Sequence, residues 1–130
     1  MFKYVVALLV CLSTSAFAAE TVKTRSGLEY TSLVEGAGAT PESTDTVVVN
    51  YRGTLLNGRE FDSSYKSGRP AEFRLDRVIK CWTEGLQMMK VGGKAQLSCP
   101  SNLAYGQEGV MGSIPPNMPL NFEVELLGIK

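Results

Sequence analysis

The chain has 130 residues, with 13 basic and 13 acidic side chains and no histidine. An even charge balance gives no electrostatic footprint for nucleic acid or an anionic membrane surface. The missing histidine excludes His-based triads, His general bases and the usual His-containing zinc sites.

Residues 1–18 read as a cleaved secretory signal peptide. Met1–Lys3 is a short positive region, Tyr4–Leu12 (YVVALLVCL) an apolar run, and Ala16-Phe17-Ala18 the small-x-small pattern read by signal peptidase. The run falls well short of the roughly 20 residues that span a bilayer. Leu-Leu-Val ahead of Cys11 lacks the small residue of a lipoprotein site. Cleavage after Ala18 removes 18 of 130 residues, including Lys3, and leaves 112 residues with 12 basic and 13 acidic side chains. That length fits one domain with a real core. The expected destination is the periplasm or the outside of the cell, with no membrane contact after cleavage.

Residues 19–44 form a polar, loop-rich extension that carries a first short strand near Leu28-Glu29-Tyr30. Residues 45–130 form the core. Thr46–Leu55 (TVVVNYRGTL) is rich in β-branched residues and reads as a strand. Asn57-Gly58 signals a hairpin into Arg59-Glu60-Phe61. Asp76 is placed to cap a short helix over Val78–Met89, where Trp82, Leu86 and Met89 share one face. A turn at Val91–Lys94 leads to a strand at Ala95–Cys99. In Leu120–Ile129, Leu120, Phe122, Val124 and Leu126 alternate with Asn121, Glu123 and Glu125, a half-buried antiparallel strand. The sum is an α+β domain, an antiparallel sheet around one short amphipathic helix.

Without Cys11, two cysteines remain, Cys81 and Cys99. In an oxidising compartment such a pair is expected to bridge, which in the loop-entropy picture stabilises by about 3 kcal/mol. The alternative is two small buried hydrophobes.

Trp82 is the only tryptophan. A lone Trp is ordinarily a core anchor. Together, however, Val78, Ile79, Trp82, Phe61 and Phe122 exceed what one core face requires, and they suit the floor of an apolar ligand pocket. The stretch Tyr105–Pro119, YGQEGVMGSIPPNMP, combines three glycines and three prolines with Val110, Met111 and Ile114. Such a loop either tucks its apolar groups into the core or presents them to something apolar.

Five stretches carry a resemblance: VNYRGTLLNGREFDSS (49–64), VIKCWTEGL (78–86), KVGGKAQL (90–97), LAYG (103–106) and IPPNMPLNFEVELL (114–127). In this order and spacing the chain resembles the FKBP-type peptidyl-prolyl cis-trans isomerases over about residues 28–130, and within them the bacterial exported members. The resemblance implies a half-barrel of five or six antiparallel strands wrapping a short helix, with the pocket between helix and sheet. It implies Trp82 as the floor, Tyr51, Phe61 and Phe122 as aromatic walls, and Asp62 as a carboxylate near the Tyr51 hydroxyl. Val78 and Ile79 would border the approach to the helix, while Tyr105 and Ile114 would belong to a flap over the prolyl site. The implied activity is rotation about X-Pro bonds in unfolded or nascent exported polypeptides, with no cofactor and no metal. Rapamycin and tacrolimus are the implied inhibitors. The alternative is a chaperone-like peptide-binding module with little catalysis. Relatives of the macrophage infectivity potentiators carry a helical dimerisation segment before this domain; the short extension here leaves no room for one, so a monomer is expected. The chain departs from the family pattern at Ala71, where an aromatic often walls the pocket, and at Val110 and Ser113 in the flap. The smaller wall is expected to weaken macrolide binding or relax the preference for the residue before proline.

Overall fold

The computed structural model describes residues 19–130, and the secretory leader expected over residues 1–18 lies outside the described residues. Seven strands follow in chain order: β1 (Thr21–Lys23), β2 (Glu29–Val34), β3 (Thr46–Leu55), β4 (Glu60–Ser63), β5 (Ala71–Arg74), β6 (Lys94–Cys99) and β7 (Leu120–Ile129). One α-helix, α1 (Lys80–Leu86), lies between β5 and β6. The strands form one antiparallel sheet in the order β1-β2-β6-β7-β3-β4, with β5 paired to the first half of β3. The five or six strands expected become seven because two short ones, β1 and β5, carry too little alternation to be read.

Period-two burial builds the core. Val47, Val49, Tyr51 and Leu55 of β3 face the same interior as Leu120, Phe122, Val124 and Leu126 of β7. Ala95, Leu97 and Cys99 of β6 complete that face, and α1 covers it with Cys81, Trp82 and Leu86. In the β3–β4 hairpin, Asn57 Oδ1 accepts the Arg59 N–H at 2.9 Å. Gly58 there has a φ of 89°, which favours a residue without a Cβ.

The helix is shorter than the periodicity predicts and is not capped by Asp76. That residue sits in a 3₁₀ turn, Leu75–Arg77, where its carboxylate accepts from Arg74 Nε at 2.8 Å. Val78 is extended, and Ile79 stands before the first helical turn with no side-chain cap. Thr83 ties the helix to that turn instead, donating its hydroxyl to the Leu75 carbonyl at 2.7 Å. At the far end, Met88 and Met89 N–H groups donate to Gly85 and Leu86 carbonyls, so the last turns tighten to the i→i−3 pattern. Trp82, Leu86 and Met89 are nevertheless all buried, as the shared face requires.

Cys81 on α1 and Cys99 at the end of β6 are fully buried and joined, with Cα atoms 5.8 Å apart. The bridge fastens the helix to the sheet one residue before Trp82.

Candidate active site

Strand β3 contributes Tyr51, β4 contributes Phe61 and Asp62, and β7 contributes Phe122 to a cavity of about 450 Å³. Val78 and Ile79, between the 3₁₀ turn and α1, line its helix side, and Trp82 and Tyr105 complete this part of the lining. Trp82 is buried, and three rings stand nearly perpendicular to its indole plane. These are Tyr51 at 5.1 Å and 86°, Phe73 at 5.4 Å and 89°, and Phe122 at 5.5 Å and 84°. Phe61 meets Phe122 edge-on at 5.6 Å.

Gly53 makes that last pair possible. It lies opposite Phe122 on β7 and Asp62 on β4. A Cβ at this position would stand 2.6 Å from Phe61 Cζ and 2.9 Å from Phe122 Cε1. A bare backbone in mid-strand lets the two rings close over it.

The polar groups are few and directed. The Tyr51 hydroxyl donates to Asp62 Oδ2 at 2.7 Å, and Asp62 Oδ1 accepts the Ser63 N–H at 2.8 Å. Asp62 therefore both orients Tyr51 and holds the turn that follows β4. Burial pushes the Tyr51 hydroxyl well above the ordinary phenol range, and the hydrogen bond to Asp62 and its charge add to the rise. Tyr105 is raised in the same direction, by burial first and then by the Asp62 charge. Both phenols stay protonated as donors near neutral pH. The Trp82 Nε1–H is buried with no protein acceptor among the described residues. Among those residues no cluster of three or more cysteine, aspartate or glutamate side chains is arranged to hold a metal ion.

Residues 38–127 match the sequence model of the FKBP-type peptidyl-prolyl cis-trans isomerases. The chain belongs to this family. It is 57% identical over 110 residues to the FKBP-type peptidyl-prolyl cis-trans isomerase FkpA of Escherichia coli, a match covering 84% of this chain and 40% of FkpA. The crystal structure of FkpA from Escherichia coli superposes with a TM-score of 0.82 at 53% identity, covering 85% of this chain and 51% of that one. A peptidyl-prolyl cis-trans isomerase from Pseudomonas syringae superposes with a TM-score of 0.80 at 41% identity, covering 85% and 80% of the two chains. The chain thus spans well under half the length of the FkpA sequence it matches.

Within this FKBP domain, Tyr51, Phe61, Asp62, Val78, Ile79, Trp82, Tyr105 and Phe122 converge on one cavity. Ile114 does not line it. It is 5% exposed and packs into the core, and a small loop (Val110 N–H to the Ile114 carbonyl and Ile114 N–H to the Val110 carbonyl, both 2.8 Å) holds it there. Arg59 secures the same loop by donating to the Ser113 carbonyl at 2.9 Å. The apolar groups of the flap therefore divide: Ile114 tucks in, while Val110 and the fully exposed Met111 face outward over a separate shallow concavity.

Two lining residues escape the sequence reading, Phe73 and Arg77. Phe73 lies two positions after Ala71 on the same face of β5. It supplies an aromatic wall against Trp82, whereas Ala71 is not part of the lining. Its signal was the phenylalanine of AEFR, a run too short to show a period.

Proposed function

We propose that this FKBP domain is a peptidyl-prolyl cis-trans isomerase acting on X-Pro bonds of unfolded, exported polypeptides. The observation that carries the reading is the Trp82 indole, buried and surrounded by three perpendicular aromatic rings at one open cavity.

Rotation about an X-Pro amide is slow because it breaks C–N resonance, a barrier of about 20 kcal/mol. No bond to another atom forms, so the reaction calls for no nucleophile, base or metal. The twisted amide is less dipolar than the planar one, and an apolar cavity disfavours the planar ground state relative to it. Trp82 holds the proline ring as a floor, and Tyr51, Phe61, Phe73 and Phe122 wall it. Val78 and Ile79 border the substrate on the helix side. The Tyr105 hydroxyl, protonated and at the mouth, anchors the substrate backbone by hydrogen bonding. Asp62 holds Tyr51 in place and transfers no proton. Ile114 serves by fixing the flap to the core. Binding that improves as the carbonyl turns is binding spent on the transition state.

The leader-like residues 1–18 and the joined pair Cys81–Cys99 support an oxidising destination, the periplasm or the cell exterior. Proline-containing exported chains are then the substrates, and rapamycin or tacrolimus would compete for the same cavity. A chaperone-like reading draws on Met111 and Val110, which give the flap an exposed apolar tip; it requires peptide holding with little change in isomerisation rate.

Trp82→Ala tests the proposal. Its kcat/KM on an X-Pro peptide is expected to fall about tenfold or more, the factor that ~1.4 kcal/mol of lost transition-state contact produces. Because such a truncation costs about 3–5 kcal/mol of stability, Trp82→Leu and a circular dichroism spectrum keep unfolding apart from lost chemistry. Unchanged kcat/KM in a folded variant would remove Trp82 as the floor.

A further inference from the structure

Arg77 is the one cation among the described residues that line the cavity, and apart from the pull of its charge on the neighbouring Asp76 it has no ion-pair partner among them. The ion pairs among the described residues use Arg52, Lys66, Arg74, Lys94 and Lys130, not Arg77. The adjacent carboxylate, Asp76, is held by Arg74 at 2.8 Å. The one carboxylate in the lining, Asp62, already accepts from Tyr51 at 2.7 Å and from the Ser63 N–H at 2.8 Å. The negative group of the cavity is thus engaged while the positive one is open.

Position gives this charge a use. Arg77 ends the 3₁₀ turn and directly precedes Val78 and Ile79, which line the helix side of the cavity. Its side chain is exposed, so the guanidinium stands at the rim and not in the aromatic interior. A substrate with its proline ring on Trp82 whose flanking residues cross this rim would bring their side chains to the guanidinium. A guanidinium presents a planar fork of donors that matches a carboxylate. The bland reading, a solvated surface arginine, predicts no dependence of catalysis on the charge of the flanking residue.

We propose that Arg77 is a specificity-determining residue that favours X-Pro substrates carrying an acidic side chain next to the proline. This rests on the isomerase reading above. An exposed ion pair is modest, so the expected preference is about three- to fivefold in kcat/KM, superimposed on whatever the apolar cavity selects. It is screened by salt.

The test is exchange NMR on acetylated, amidated peptides with Glu, Gln or Lys placed before the proline, and a second series with the same residues after it. In at least one series the purified protein is expected to turn over the Glu peptide about three- to fivefold more efficiently than the Gln peptide at low ionic strength. That ratio should fall towards one in Arg77→Gln and in high salt, and Arg77→Glu should transfer the preference to the Lys peptide. A merely structural role would change all peptides alike. If peptides are accelerated but the Glu-to-Gln ratio is the same in the parent and in Arg77→Gln in both series, the inference is wrong and the isomerase reading stands. If no peptide is accelerated, both fall.

Discussion

Tyr51 joins the two halves of the site in one side chain. Its ring meets Trp82 edge-on while its hydroxyl donates to Asp62 at 2.7 Å. The alternation of β3 predicts that it faces inward, but an inward tyrosine in a strand is equally a core residue, and only the family resemblance favoured the site. Asp62 is expected beside the Tyr51 hydroxyl, and its second oxygen does a further job by accepting the Ser63 N–H. Phe73 and Arg77 were not legible, because nothing local says that a phenylalanine in a four-residue strand or an arginine after it reaches the cavity. The phenols also set a pH dependence. Tyr30, Tyr51 and Tyr105 all titrate above the ordinary phenol value when folded, burial being the largest cause in each. Above about pH 10 the unfolded chain releases phenol protons that the folded one keeps, so stability falls as pH rises from there and is unaffected below. Urea unfolding of the parent at rising alkaline pH should show this loss, and Tyr51→Phe should show a shallower one. Parallel losses in the two proteins would contradict the role given to burial of the Tyr51 hydroxyl.

Among the elements, the long strands were legible end to end and the helix was not. Ten-residue β3 and β7 repeat their apolar positions enough times to fix both limits. The helix pattern instead ran through apolar residues that lie outside α1, the half-buried Val78 and Ile79 on extended backbone before it and the buried Met89 after it. Gly53 and Gly85 are similar cases. Sequence marks them as weak strand and helix formers, whereas the structure uses them for close approach, to Phe61 and Phe122 and to Leu97 respectively. The joined pair Cys81–Cys99 compensates for so short a helix by tying it to β6 beside the floor of the cavity. With the two cysteines 18 positions apart in sequence, replacing both by alanine should cost about 3 kcal/mol of unfolding free energy in oxidising buffer. Denaturant midpoints measure it, and equal stability of the two proteins would show that the bridge does not constrain the unfolded chain as described.

For the whole molecule, the class was legible and the pairing order was not. Alternation, turn residues and one amphipathic stretch suffice for an α+β domain, and five motifs in series point to the FKBP-type isomerases. Nothing in a local window says that β7, last in sequence, lies between β6 and β3, yet this pairing sets Phe122 opposite both Gly53 and Leu97 and so builds the back of the cavity. That cavity is proposed to work as a unit, an apolar aromatic box that lowers the barrier to amide rotation with no covalent or metal chemistry. The measurement that tests it most directly is the exchange rate of a short X-Pro peptide with catalytic amounts of the protein, with and without rapamycin. The expected result is acceleration that rapamycin abolishes. A folded sample that leaves the peptide at its uncatalysed rate would contradict it.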